Sequence, residues 1–176
     1  MPLPYFTIGH STRSIPEFVE LLRTGRVELV IDIRTIPRSR TNPQYDEEVL
    51  AAALAPYQIA CLRLAALGGL RKRSLEVPPE LNGWWQNRSF HNYADYALSE
   101  DFGAELGDLV TLGRDRRLAM MCSEAVWWRC HRRIVADHLL ARGETVFHLM
   151  GTGRAEPARL SAGASVDNGA VTYPAP

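Results

Sequence analysis

Short apolar runs and amphipathic stretches alternate along most of this chain. Residues 5–8 form a β-prone run that ends at Gly9-His10-Ser11. Ser14-Ile15-Pro16-Glu17 then reads as a capping box with proline in the first helical turn. Phe18, Leu21 and Leu22 supply that helix's apolar stripe, and Gly25 stops it. Residues 28–33 are nearly continuously apolar, the pattern of a strand buried on both faces. Residues 46–55 read as a helix ended by Pro56, and residues 59–64 as a weaker third strand. Residues 117–122 give a fourth strand, 130–142 a helix stopped by Gly143, and 145–150 a fifth strand.

Two regions depart from this rhythm. Residues 66–92 carry Gly68-Gly69, Arg71-Lys72-Arg73, Pro78-Pro79 and Trp84-Trp85 without periodicity, and predict an irregular insertion. A helical stretch follows over 93–112, with a break marked by Asp101-Phe102. The last 26 residues are rich in Gly, Ala and Pro, the composition of a loose tail. Asp167-Asn168-Gly169 between two β-prone runs is nonetheless a hairpin signature. The prediction is therefore an α/β, Rossmann-like three-layer sandwich with a mostly parallel five-stranded sheet over residues 1–150, and an extension over 151–176.

Composition narrows the class. A chain of 176 residues, 46% hydrophobic and 23% charged, fits one ordinary domain that needs no disulfides. Lys and Arg match Asp and Glu at 20 each, so no bulk attraction to nucleic acid or anionic lipid is expected. All the basic residues but Lys72 are arginine, whose planar fork suits carboxylate and phosphate. Cys61, Cys122 and Cys130 are too few for a disulfide framework. No leader pattern and no run long enough to span a membrane is read, so the expectation is a cytoplasmic protein with no membrane partner.

In a parallel α/β sheet, ligands bind beyond the carboxyl ends of the strands. The residues that follow each strand are therefore the candidates. The first strand is followed by Gly9, His10 and Ser11, and the second ends in Asp32 and Arg34, with Arg38 and Arg40 beyond. Gly68, Gly69 and Arg71 follow the third. The fourth delivers Cys122 and Glu124, then Trp128, Arg129, Cys130, His131 and Arg132, and the fifth carries His148. These are nucleophilic, acid–base and anion-binding groups brought to one edge.

Thr7-Ile8-Gly9-His10-Ser11, Asp32-Ile33-Arg34, Leu67-Gly68-Gly69, Cys122-x-Glu124 and Cys130-His131-Arg132 resemble the DUF488 family, bacterial and archaeal proteins of unassigned function. The resemblance runs over nearly the whole chain, and the Cys-x-Glu…Cys-His-Arg block, with seven residues between its cysteines, is its most specific part. It implies no reaction.

Each candidate has a plain structural alternative. Cys122 is either a thiolate nucleophile or a small buried hydrophobe. A cysteine-phosphatase loop does not fit, because the position six residues on is Trp128. Cys130 and His131 open a helix whose amides favour an anion, or they simply pack there. Asp32 and Glu124 are an acid–base pair or partners for arginines, and for Asp32 the ion pair is favoured. Gly9, Gly68 and Gly69 would let backbone approach a ligand, Ser11 is a further ligand-binding candidate, and Arg34, Arg38, Arg40, Arg71, Arg129 and Arg132 would hold an anion. Trp128 would stack on a planar ring.

The leading expectation is an enzyme acting on a phosphorylated, nucleotide-like or nucleic-acid substrate. Cys122 would be its nucleophile, with Glu124, His131, Asp32 and His10 as its other catalytic groups. A non-catalytic nucleotide or nucleic-acid binding module and a metal-dependent enzyme are the alternatives. Zinc or iron has suitable ligand types in the cysteines and histidines, but Cys130 and His131 are adjacent on a helix, hence about 100° apart around it, and one metal would not easily take both. No metal site and no cofactor is therefore assigned.

Overall fold

The computed structural model describes residues 1–151 and 153–176, and its centre is a six-stranded sheet of order β3-β2-β4-β1-β5-β6. The first five strands are β1 (Tyr5–Gly9), β2 (Leu29–Asp32), β3 (Ala60–Arg63), β4 (Leu118–Cys122) and β5 (Val146–Gly151), all parallel. The helices are α1 (Ile15–Thr24), α2 (Glu47–Leu54), α3 (Arg88–Tyr96), α4 (Glu100–Asp115) and α5 (Arg132–Ala141).

Strand alternation sorts the core into two layers. Phe6, Ile8, Val30, Ala119 and Met121 join Phe18, Leu22, Leu50 and Leu54 of α1 and α2 on one face. Tyr5, Leu29, Ile31, Leu118 and Met120 pack on the other with Phe102, Leu106 and Leu109 of α4 and Ile134, Val135 and Leu139 of α5. Burial of both faces explains why β1, β2 and β4 read as apolar runs.

Three details differ from the sequence expectation. The sheet has six strands, not five, because β6 (Arg154–Pro157) adds antiparallel to β5. All four of its residues are exposed, so no hydrophobic alternation announces it. The helical stretch predicted to break at Asp101-Phe102 divides instead at Ser99, whose side chain accepts from the Phe102 amide. Glu100 and Asp101 then lie in the first turn of α4, where the helix dipole favours them.

The carboxyl-terminal segment is no loose tail. β7 (Ser165–Asp167) and β8 (Ala170–Thr172) form a hairpin whose turn has Asn168 and Gly169 at positive φ, as a tight primed turn requires. Tyr173 is buried beyond it, with its hydroxyl donating to Asp137 at 2.7 Å and its amide bonded to Asn82 and Leu81. This ties the end of the chain to α5 and to the turn before α3.

Candidate active site

The connection out of β2 runs towards β3, while that out of β4 runs the other way to β5. Neighbouring strands with diverging connections leave a crevice at their carboxyl ends. A cleft of about 810 Å³ lies there. Cys122, Glu124, Cys130 and His131 come to it from the β4 side, and Arg34 and Arg38 from the β2 side. Gly69 and Arg129 also line it.

Its floor is a sulfur–imidazole cluster. The Sγ atoms of Cys122 and Cys130 and a ring nitrogen of His131 all lie within 4.8 Å of one another. His131 Nε2 sits 3.0 Å from the Ile33 carbonyl, which can only accept, so Nε2 carries the proton. Nδ1 therefore presents its lone pair to the two sulfurs, at 3.6 Å from Cys130 and 4.0 Å from Cys122. Cys130 is extended (φ −130°, ψ 146°) and precedes the helix, with His131 as the cap. The helical 100° separation does not apply, and the two side chains converge.

The two thiols titrate as a pair in opposite directions. Burial works against ionisation of Cys130, but hydrogen bonding from Cys122, the Arg132 charge and the Arg132 amide outweigh it and bring its pKa down to about 6. Cys122 is pushed up to about 12 by its bond to Cys130 and by burial. Within the pair, ionisation is therefore favoured at Cys130 and disfavoured at Cys122.

Arg132 has no exposed surface and serves the scaffold. Its guanidinium donates to the Glu124 carbonyl at 2.6 Å, to the Ala125 carbonyl at 3.2 Å and to the Thr7 hydroxyl at 3.3 Å. Thr7 lies 2.6 Å from His148 Nδ1, and the His148 ring stacks on Trp127 at 4.6 Å. Asp32 takes the ion-pair alternative. It is buried and accepts from Arg34 at 2.9 and 2.7 Å in a bidentate pair, while Arg34 also donates to the Tyr45 carbonyl. His10 stacks on Tyr45 at 4.1 Å, with Nδ1 donating to the Ser11 carbonyl. Arg71 lies over the Tyr96 ring and donates to the Gly68 and Ala66 carbonyls.

Asp32, His10, Ser11, Arg40, Gly68, Arg71, Arg132 and Trp128 do not line the cleft. Two of the glycines are steric requirements of the scaffold. A Cβ on Gly69 would stand 2.6 Å from His131 Nδ1, and one on Gly9 would stand 1.8 Å from the Glu124 carbonyl oxygen. The Gly9 neighbour is backbone, which cannot swing aside, and the loop is further pinned by His10 and Ser11 amides donating to Cys122 and Ser123 carbonyls. Gly9→Ala is expected to cost about 3 kcal/mol, a fall of roughly 10 °C in Tm. A melting curve within about 2 °C of the parent would refute this packing.

The cleft has lining that sequence reasoning missed. Ile36 and Leu70, both well exposed, form an apolar rim with the ring of Phe90, and Asn87 and Ser89 stand at the start of α3. A polar residue at a helix cap was the available signal for Asn87, which accepts from the Ser89 and Phe90 amides.

A family model described as Domain of unknown function DUF488 matches residues 14–139. No curated protein and no solved structure matches the chain.

Proposed function

The chain belongs to the DUF488 family, and from that premise we propose that it is an enzyme whose cleft takes a phosphate-bearing, nucleotide-like substrate. The observation that carries this reading is the sharing of one cleft by two kinds of group. Arg38 and Arg129 line it, both exposed, and among the described residues neither pairs with a carboxylate. The sulfur–imidazole cluster lies on the floor of the same space, with Glu124 beside it.

Two guanidinium forks at a cleft mouth hold a phosphate through charge-assisted hydrogen bonds. Ile36, Leu70 and Phe90 offer an apolar rim against which a planar ring can lie. About 810 Å³ is within the usual range for small-molecule sites and accommodates a nucleotide. The convergence of Cys130, Cys122 and His131 Nδ1 where they line that space favours reacting groups over a mere binding surface.

Calorimetry against nucleoside mono-, di- and triphosphates tests the reading. Arg38→Ala and Arg129→Ala should each weaken binding of the responsive compound about tenfold to a hundredfold. Cys130→Ser should bind it normally and fail to convert it. Failure of every phosphate compound to bind, or a double arginine variant that binds like the parent, removes the proposal. Binding without turnover in the parent would instead identify a non-catalytic module.

A further inference from the structure

The geometry points to a zinc site: we infer that Cys122, Cys130 and His131 bind one zinc ion, leaving a fourth coordination position open to the cleft. The ion's use in catalysis rests on the reading proposed above, but its presence does not.

Three observations support the assignment. The first is spacing. A tetrahedral zinc with Zn–S bonds of about 2.3 Å and a Zn–N bond of about 2.0 Å sets sulfur and nitrogen about 3.5 Å apart. Here Nδ1 stands 3.6 Å from one sulfur and 4.0 Å from the other, and all three donor atoms lie within 4.8 Å. The two sulfurs, which tetrahedral zinc sets about 3.8 Å apart, lie within 4.8 Å of each other, so a closure of at most about 1 Å completes the triangle.

The second observation is the fixed tautomer of His131. A metal-bound histidine donates its other ring N–H to a carbonyl or carboxylate, which orients the ring. The Nε2 bond to the Ile33 carbonyl at 3.0 Å does this, and directs the Nδ1 lone pair between the sulfurs. Gly69 admits the ring at all, since any side chain there would strike Nδ1.

The third is the donor set and its setting. Two thiolates and one imidazole suit zinc, and three protein ligands with an open position mark catalytic rather than structural zinc. All three residues line the cleft, so a water or a substrate oxygen has access to the fourth position. On binding, each sulfur coordinates as thiolate with any proton it carries released to solvent, and His131 coordinates neutral. Two thiolate charges then balance the ion.

Metal content of the untagged full chain, prepared without chelators, is the direct test. One zinc per chain is expected, and it should fall to near zero in Cys130→Ser and in His131→Gln. Circular dichroism of these variants separates lost coordination from lost folding. Should either variant fail to fold, cobalt substitution of the parent decides the matter, with a thiolate-to-cobalt charge-transfer band expected at one equivalent. A metal-free parent that also gives no such band overturns the site. Arg38→Ala should keep its zinc while binding the phosphate compound about tenfold to a hundredfold more weakly. Zinc with no phosphate binding would therefore sustain the site and remove the proposed substrate, whereas phosphate binding by a parent that takes no metal would do the reverse.

Discussion

Acidification from about pH 6.5 towards pH 4 should cost this protein most of its folding stability. His138 and His148 are nearly inaccessible, and burial lowers their pKa values to about 4 and about 3. Arg142 adds to the effect on His138, and Arg132 and Arg133 add to it on His148. Unfolded, both titrate near pH 6.5, so across this window the unfolded chain binds more protons. Their contribution is complete above about pH 6.5 and is lost as pH falls towards the folded values. At about 1.4 kcal/mol for each pH unit of displacement, the two together are of the order of 5–10 kcal/mol, comparable to the whole stability of an ordinary domain. His10, lowered to about 4 mainly by burial, acts in the same direction, while Asp137, raised by burial, offsets part of the loss. Urea unfolding across this pH range checks the result, and a midpoint that does not move refutes it. His138→Phe should flatten the curve, since the Nε2 of His138 has no partner among the described residues and its ring already meets Phe102 edge-on at 4.9 Å.

Arg132→Met should be the most damaging single change away from the cleft surface. No carboxylate among the described residues pairs with this fully buried guanidinium, which is held by two carbonyls and a hydroxyl. Removing it takes the donor from the Glu124 and Ala125 carbonyls, while the Thr7 hydroxyl keeps His148, and together with the lost packing this should cost about 3–5 kcal/mol. It also frees the loop that carries Glu124, so binding in the cleft should weaken in step. Arg132→Lys should recover little of this, because an ammonium cannot span three acceptors in the guanidinium plane. Urea unfolding of either variant within about 1 kcal/mol of the parent would mean that the loop is held otherwise.

The placement of Arg132 shows what the sequence could and could not disclose about the site. Local spacing placed Cys122, Glu124, Arg129, Cys130 and His131 together, because a strand end and the next helix start are one short segment. The fold rule added Arg34 and Arg38 from the neighbouring strand. Which way a side chain turns is set by later packing. Arg132 lies beside His131 in sequence, yet its helix directs it into the sheet towards Thr7. Leu70, Asn87 and Phe90 reach the cleft from a stretch with no periodicity, so only tertiary contacts put them there. The Cys130–His131 convergence was hidden for a smaller reason. The helix begins at Arg132, two residues later than the hydrophobic pattern suggests.

The strand order also governs time. β1 lies between β4 and β5, and Phe6 pairs with Ala119 and with Phe147, each more than a hundred residues away. At synthesis rates of about 5–20 residues per second, the first strand waits roughly 6 to 20 seconds for its first partner. Through that interval Phe6 and Ile8, fully enclosed in the finished protein, have no native sheet to enter. Contacts of such long range also make for slow refolding in vitro. Until the partners of β1 exist, its apolar side chains leave the growing chain open to aggregation.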